Sequence, residues 1–425
     1  MNVITRLAGL LRGEAHDTDT AEHLERIDLH SGLPYWLVRN RTGPLFPEVD
    51  DDVDTDVLIV GGGITGALCA YHLMEAGVPC AVVDARSIGT GSTCASTALL
   101  QYEIDTPLHD LVRLVGESNA VRAYQASAES VFALLGLSRS LAVTDTHQRK
   151  SVQYASRKSH VAGLKKEAAL RNANGRPGDL LFGEATRTAR PFAAPAAIRC
   201  HLAAETDAWR LTHALHDRSR RLGARIFERT AVVDFRDNGS GIRLLTANGH
   251  TLRARHLIYA TGYESRDLLP GDVITLNSTY ALVSEAGTAD VPWPESSLIW
   301  ETAQPYLYLR TAPDGRIIIG GRDEPFRSPK LRDALLPKNT AALTEDFHRL
   351  MPQLPMRSEY AWCGTFGGTK DGLPYIDRHP RDRNSWFALG MGGNGITFSV
   401  IAAEILRDRI TGRRNVHADL FRFDR

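Results

Sequence analysis

A glycine-rich turn between two apolar stretches places the strongest constraint on how this chain folds. Residues 56–85 read DVLIVGGGITGALCAYHLMEAGVPCAVVDA. The runs VLIV and CAVVD are continuous and apolar, which is typical of parallel strands buried on both faces. The residues between them are typical of a helix that stops near Gly77. The order strand, glycine turn, helix, strand predicts a nucleotide-binding unit.

The glycines of this turn, Gly61, Gly63 and Gly66, match the pattern G-x-G-x-x-G. The first permits the tight turn, the second lets a pyrophosphate approach the backbone, and the third lets helix and strand pack closely. The helix N-terminus adds N–H donors and partial positive charge. Asp84 ends the second strand 18 positions after Gly66, where an acidic side chain can accept from a ribose hydroxyl. The turn therefore predicts a bound dinucleotide.

Two further glycine elements lie far along the chain. YATGYES contains Thr261 and Gly262, and GMGGNGIT covers residues 390–397 before the last predicted helix. One glycine element followed by a separate catalytic domain is typical of an NAD-dependent dehydrogenase, which remains an alternative hypothesis. Three glycine elements spread along the chain instead let the backbone approach a long cofactor at several points. This arrangement favours FAD, an elongated dinucleotide buried along its whole length.

The chain of 425 residues is too long for one compact core and predicts two domains. Residues 107–200 are predicted to be largely helical. Near the N-terminus, one face of a predicted helix carries the apolar residues Val3, Ile4, Leu7, Leu10 and Leu11. This face is expected either to pack on the protein itself or to contact a membrane surface or a partner. The predicted boundaries are a leader over 1–52, an FAD-binding domain from 53–104, 201–275 and 356–425, and a substrate domain from 105–200 and 276–355.

Composition excludes several classes of partner. Lys and Arg together number 50, as do Asp and Glu, so no net field attracts nucleic acid. No apolar run reaches the roughly 18–20 residues that span a bilayer. The five cysteines are scattered and form no CxxC pair, which favours a reducing cytoplasm and argues against disulfides and against a metal site.

The sequence resembles the FAD-dependent D-amino-acid oxidase superfamily, which includes glycine oxidase, sarcosine oxidase and dimethylglycine dehydrogenase. The matching stretches are DVLIVGGGITGALCAYHL, DARSIGTGST, TDAWRL, HLIYATGY, YLRTAPDGRIIIGG, GGTKDGLPYID and LGMGGNGITFS. The resemblance implies an α/β fold in which a Rossmann-like FAD-binding domain is interleaved with an α+β substrate domain on a mostly antiparallel sheet. It also implies oxidation of a C–N bond by hydride transfer to flavin N5, followed by hydrolysis of the imine.

The glycine elements and the resemblance together predict which residues contact FAD. Asp84 and Arg86 are expected at the adenosine end, Val232 at the adenine, and the last glycine turn at the flavin, where the following helix N-terminus stabilises negative charge. The full predicted set is Gly61, Gly63, Ile64, Thr65, Gly66, Asp84, Ala85, Arg86, Gly91, Ser92, Thr93, Thr97, Ala98, Leu99, Val232, Thr261, Gly262, Gly390, Met391, Gly392, Gly393, Asn394, Gly395, Ile396 and Thr397.

The resemblance implies that FAD is bound non-covalently. Relatives that attach flavin through a histidine carry it just after GST, and this chain has Ala95 there. Sarcosine oxidases use a cysteine before a later turn, where the aligned residue is Gly364 and Cys363 is its neighbour. Cys94 is expected to be a small apolar wall residue rather than an attachment point.

Two kinds of substrate remain open. Amino-acid-oxidising relatives hold a carboxylate with Arg or Lys, but the aligned positions here are Phe366, Ala98, Gln101 and Thr397. Arg310, in YLYLR, is the one matching cation, and it predicts an amino or imino acid substrate. Without such a clamp the substrate is an amine, for which Glu103 or Asp105 in QYEID could hold a second ammonium group.

The candidate catalytic residues are accordingly Arg310, Gln101 and Tyr280, with Tyr308 and Trp362 as further possible pocket walls. Lys370, in TKDG, is expected at the surface. Reoxidation of the flavin by oxygen or by an electron-transfer partner is left open. A function from another class, a flavin-binding subunit or structural flavoprotein that docks through its leader helix, also remains.

Overall fold

A computed structural model describes residues 29–40, 43, 45–264, 273–288, 293–354, 356–379 and 382–425. The predicted helix near the N-terminus lies outside these residues. No helix within the described ranges is long and apolar enough to cross a membrane.

The described elements alternate between helices and strands along the chain. The helices are α1 Tyr35–Asn40, α2 Ile64–Glu75, α3 Ser92–Ala95, α4 Leu108–Val115, α5 Glu117–Ser140, α6 Val161–Ala173, α7 Ala208–Arg221, α8 Pro329–Leu350 and α9 Gly395–Ile410. The strands are β1 His30–Gly32, β2 Val53–Asp54, β3 Val57–Val60, β4 Cys80–Val83, β5 Leu99–Gln101, β6 His147–Tyr154, β7 Gly178–Phe182, β8 Ala196–Glu205, β9 Arg225–Phe227, β10 Val232–Asp237, β11 Ile242–Thr246, β12 Thr251–Ala254, β13 His256–Tyr259, β14 Thr275–Ser284, β15 Leu298–Glu301, β16 Tyr308–Thr311, β17 Ile317–Glu324, β18 Ser358–Gly368, β19 Tyr375–Arg378 and β20 Ser385–Leu389.

A six-stranded, mostly parallel sheet carries the glycine elements. Its order is β19-β20-β13-β3-β4-β9, with β19 antiparallel at the edge. Strands β3 and β4 are buried almost throughout, as their continuous apolar runs predict. Helix α2 packs against α7 and α9. The glycine turns after β3, β13 and β20 therefore meet at the carboxyl edge of one sheet.

A ten-stranded sheet forms the second layer, in the order β1-β18-β14-β17-β16-β15-β6-β8-β5, with β7 paired to β8. All of its pairings are antiparallel except β15 with β6. A smaller sheet, β10-β11-β12-β2, lies beside the parallel one, and its β11–β12 hairpin turns at Gly249 with a φ of +92°. This is the predicted fold class.

Several predicted boundaries are corrected by strand pairing. Strands β5, β18 and the last residues of β8 belong to the ten-stranded sheet, although they fall in the ranges predicted for the FAD-binding domain. Strand β1, from the predicted leader, pairs with β18. The range 107–200 contains β6, β7 and half of β8 as well as helices. In each case pairing with strands that are distant in sequence places the segment in the ten-stranded sheet, which local composition does not indicate.

The glycine packing follows the physical roles predicted for the turn. A Cβ at Gly66 would lie 1.9 Å from the Gly61 carbonyl oxygen, so only glycine lets α2 approach the turn. Gly61 has a φ of +110°, and a Cβ there would lie 2.4 Å from the Ala260 carbonyl oxygen. The first and second glycine elements are thus in direct contact.

We expect Gly66→Ala to lower the free energy of unfolding by about 3 kcal/mol and to reduce bound FAD, because the added methyl group has no space. Thermal unfolding followed by flavin fluorescence measures both effects. Gly136→Ala is the matched control, since a Cβ on that exposed helical glycine meets nothing within 4 Å. It should raise stability by about 0.5–1 kcal/mol. Equal melting temperatures for the two variants would contradict the packing role.

Candidate functional site: a cavity between two sheets

A cavity of about 520 Å³ is lined by residues of both the parallel sheet and the ten-stranded sheet. All of the glycine elements contribute to its wall. Its lining combines backbone and small side chains of the glycine elements with tyrosines and carboxylates. We call it the main cavity.

The first glycine element forms a cradle at the N-terminus of α2. Gly63 lines the main cavity, and a Cβ there would lie 2.9 Å from Thr93 Oγ1. Thr93 Oγ1 accepts a hydrogen bond from the Ile64 amide at 3.0 Å. Ser92 Oγ is buried nearby and has no hydrogen-bond partner within the described part of the chain. Open space beside helix N–H groups and an unpartnered hydroxyl fits a diphosphate.

The opposite end of the cradle carries the adenosine candidates. Asp84 Oδ2 accepts from the Gly62 amide at 2.6 Å, and Oδ1 accepts from the Arg86 amide at 2.8 Å. The Arg86 guanidinium makes a two-pronged pair with Glu264, at 2.8 and 3.2 Å. Val232 lines the wall nearby. The ribose contact of Asp84 remains a prediction.

Asn394 of the third glycine element forms hydrogen bonds with the segment that follows β5. Its Oδ1 accepts from the Asp105 amide at 3.1 Å, and its Nδ2 donates to the Glu103 carbonyl at 2.8 Å. In return the Gly393 amide donates to Asp105 Oδ2 at 2.9 Å. These bonds hold the amide-rich turn before α9 in one place relative to Gln101 and Asp105.

The predicted cofactor residues all line the main cavity except Gly66 and Thr397. Gly66 lies beneath the turn, where its role is packing against Gly61. Thr397 is buried in the first turn of α9, and its hydroxyl donates to the Asn394 carbonyl at 2.8 Å. Both support the cavity wall without facing it.

Four consecutive carbonyls, from Ala95 to Ala98, are each held by a buried side chain, and we call them the carbonyl row. Trp362 Nε1 donates to the first at 2.8 Å and Trp36 Nε1 to the second at 2.6 Å. Arg310 Nη1 donates to the Thr97 and Ala98 carbonyls at 3.3 and 2.8 Å. This row shapes the wall that follows the phosphate cradle.

The expectation that Arg310 clamps a substrate carboxylate is therefore corrected. The residue is 1% exposed and is not among those lining the main cavity. Its guanidinium also donates to the Thr206 carbonyl at 3.2 Å and lies 3.6 Å from Glu205. The Arg310 guanidinium is already bonded to the carbonyl row, so it is not available to bind a substrate.

The end of the main cavity nearest Asn394 carries hydroxyls and carboxylates. Gln101, Tyr280, Tyr308 and Trp362 are among the residues that line the main cavity, and their roles remain predictions. Gln101 Nε2 is buried and has no partner within the described residues. Asp105 lines the cavity, with Oδ1 accepting from the Tyr306 hydroxyl at 2.9 Å. Glu103 does not, because its carboxylate faces Ser151 and Arg171 in the core.

Tyr306 and Asp323 complete this end, and the sequence reasoning missed both. Asp323 follows the pair Gly320 and Gly321 in IIIGGRDEP, and glycines inside a strand signal a bulge that re-aims the next side chain. Burial raises the pKa of Asp323 to about 6, opposed by a hydrogen bond with Thr279 and assisted by the charge of Asp105.

None of the residues considered for covalent attachment offers a link. Cys94 is fully buried outside the cavity lining, with Sγ 3.3 Å from His30 Nε2 and a hydrogen bond to the Gly91 carbonyl. Cys363 is also buried, beside the Ser31 carbonyl and Asp333. Ala95 lines the cavity in the position that resembles the histidine attachment site. Lys370 is exposed, with Nζ donating to the Arg425 carbonyl at 2.9 Å.

Comparison with known families decides the class of protein. Residues 56–409 match the family model described as FAD dependent oxidoreductase, DAO. The chain belongs to this family. FAD is accordingly its cofactor, bound non-covalently, and the cradle, the unpartnered Ser92 hydroxyl and the long cavity fit it.

Individual relatives are more distant. The glycine oxidase of Bacillus licheniformis is 26% identical over 369 residues, which are 84% of this chain and 93% of that protein. The gamma-glutamylputrescine oxidoreductase of Escherichia coli is 23% identical over 93% of this chain and 91% of its own. The solved glycine oxidase of Geobacillus kaustophilus superposes with a TM-score of 0.72 at 21% identity, covering 86% and 96% of the two chains. The last comparison shows a shared fold.

We expect Arg310→Met to lower the free energy of unfolding by about 3–5 kcal/mol, because it leaves the carbonyl row and Glu205 without their buried donor. Urea unfolding and FAD affinity measure the loss. In the fraction that retains FAD, the ratio of apparent Kd values for amino acids and amines should not change. A selective loss of amino acid binding would restore the carboxylate-clamp hypothesis.

The free energy of unfolding should also fall as the pH decreases from 6.5 to 4, because of His216 on α7. Its Nε2 donates to the Gly62 carbonyl at 3.1 Å, while Nδ1 is buried without a partner within the described residues. Burial lowers the pKa of His216 from 6.5 to about 4, so in this window the unfolded chain binds a proton that the folded chain does not.

The measurement is the free energy of unfolding at pH 7 and at pH 5. We expect His216→Gln to shrink the difference between the two pH values by about 2 kcal/mol. The exposed His201→Gln variant should keep the wild-type difference. An unchanged difference in His216→Gln would contradict this role.

Proposed function

We propose that this oxidoreductase oxidises the C–N bond of an amine rather than of an α-amino acid. The observation that carries the proposal is the charge at the end of the main cavity nearest Asn394, which we call the flavin end. Asp105 and Asp323 line that end, and among the described lining residues Arg86 is the only lysine or arginine. Arg86 belongs to the adenosine end and pairs with Glu264.

The physical reason is the cost of burying an unmatched charge. A substrate carboxylate in a dry pocket needs a cation or several hydrogen-bond donors. Next to the Asp105 and Asp323 carboxylates it would be repelled. An ammonium group is attracted by these carboxylates and by the faces of Tyr306 and Tyr308.

The chain's own contribution to the reaction is placement and exclusion of water. When bound, FAD supplies the acceptor for the hydride from the carbon that bears nitrogen. The residues around Asn394 hold Asp105 in a fixed position at the cavity wall. Gln101 presents an amide with an open donor in the same region. Both side chains can orient the substrate nitrogen before transfer.

The experiment compares two series of substrates in anaerobic stopped flow. Butylamine and N-methylbutylamine represent amines, and glycine, sarcosine, proline and D-alanine represent amino acids. We expect amines to bleach the flavin with an apparent Kd at least about 10-fold lower than amino acids, the value of one charge-assisted contact. Reduction by amino acids alone would refute the proposal and favour the activity named in the glycine oxidase relatives.

Turnover assays with the isolated chain extend the test. Oxygen consumption with an amine would assign oxygen as the electron acceptor, whereas turnover only with an artificial dye would assign an electron-transfer partner. Flavin that no substrate of either series reduces would support the alternative of a flavin-binding subunit.

A further inference from the structure

A second cavity, of about 370 Å³, lies beside the flavin end of the main one, and we call it the outer cavity. The two cavities share Asp105, Tyr306, Asp323, Phe366 and Gly392 in their walls, and we call this shared wall the junction. The outer cavity extends from the junction past Glu324 and Lys370.

Asp323 is aimed at the junction by an irregularity in β17. The pairing of β17 with β14 shifts register between Ser278 and Tyr280, so that Arg322 and Asp323 together lie opposite one residue of β14. Arg322 has a φ of +59° at this point, which is uncommon for a residue with a side chain. A bulge of this kind turns a side chain out of its regular alternation.

One oxygen of Asp323 is left without a donor. Oδ1 is buried and receives no hydrogen bond from any described residue. The neighbouring Arg322 is turned away, and its Nε donates to Asp346 at 2.7 Å. The carboxylate of Asp105 at the same junction has both oxygens occupied, by the Gly393 amide and the Tyr306 hydroxyl.

A buried carboxylate oxygen without a donor is costly unless a ligand supplies one. Of the described residues lining the outer cavity, Lys370 is the only lysine or arginine, and its Nζ is exposed and bonded to the Arg425 carbonyl. The described residues of the two cavity walls thus provide no cation for Asp323. The missing partner has the chemistry of an ammonium group.

We propose that the substrate is an aliphatic diamine or polyamine, with one C–N bond at the flavin and a second ammonium group bound by Asp323 at the junction. The outer cavity accommodates any chain that continues beyond the second nitrogen. This inference rests on the proposed amine oxidation and names its substrate class. Asp323 is then the residue that determines specificity between monoamines and diamines.

The test measures the apparent Kd for flavin reduction with butylamine, 1,4-diaminobutane and spermidine. In the wild-type holoenzyme we expect both polyvalent amines to bind at least about 10-fold more tightly than butylamine. Asp323→Asn should remove this preference, because it should raise the Kd for 1,4-diaminobutane and spermidine by a much larger factor than the Kd for butylamine. Asp323→Glu, which keeps the charge, should retain part of the preference.

Glu324→Gln is the matched control, because it removes the same charge from the outer cavity alone. Equal effects of Asp323→Asn and Glu324→Gln on the diamine would refute direct contact with Asp323. Tight butylamine reduction without any diamine preference would refute this inference and leave the proposed amine oxidation intact. Reduction by amino acids alone would refute both. The FAD content and visible spectrum of each variant establish that it is folded.

Discussion

The carbonyl row from Ala95 to Ala98 is the constraint on which the two halves of the molecule depend. This segment runs from the last residue of α3 to the residue before β5, where backbone carbonyls have no regular partner within a helix or a strand ladder. Trp36, Trp362 and Arg310 supply the missing donors from different parts of the chain. The wall of the main cavity is therefore shaped by long-range side-chain contacts rather than by local secondary structure.

A charged side chain that holds backbone carbonyls in this way is not available to bind a substrate. Arg310 donates hydrogen bonds to the Thr97, Ala98 and Thr206 carbonyls, and its Cζ lies 5.4 Å from the centroid of the Trp36 ring. A cation used as scaffold cannot bind substrate. Among the described residues, the flavin end of the cavity carries carboxylates and no lysine or arginine, and this charge distribution supports the substrate preference that we propose.

The sequence was most informative where local rules and global fold agree. The strands around Gly61 and the turn at Asn248 and Gly249 follow from apolar runs and turn residues, which act over a few neighbours. Strand β6, HQRKSVQY, was missed because its first half is polar and its pairing partners β8 and β15 are distant in sequence. Asp323 was missed for a similar reason, since a bulge set by β14 decides where it points. Arg310 was misjudged because a motif position says nothing about which carbonyls lie within reach.

Strand β1 carries a consequence for how the chain is made. His30, Ser31 and Gly32 pair with Gly364, Cys363 and Trp362, so the beginning of the described chain is seated against a strand near its end. During synthesis the early segment emerges first and has to wait for β18 before it can be buried. Trp36 follows β1 directly, so the carbonyl row also gains its full set of donors only after nearly the whole polypeptide has appeared. The donors of the carbonyl row are thus complete only once β18 has been synthesised.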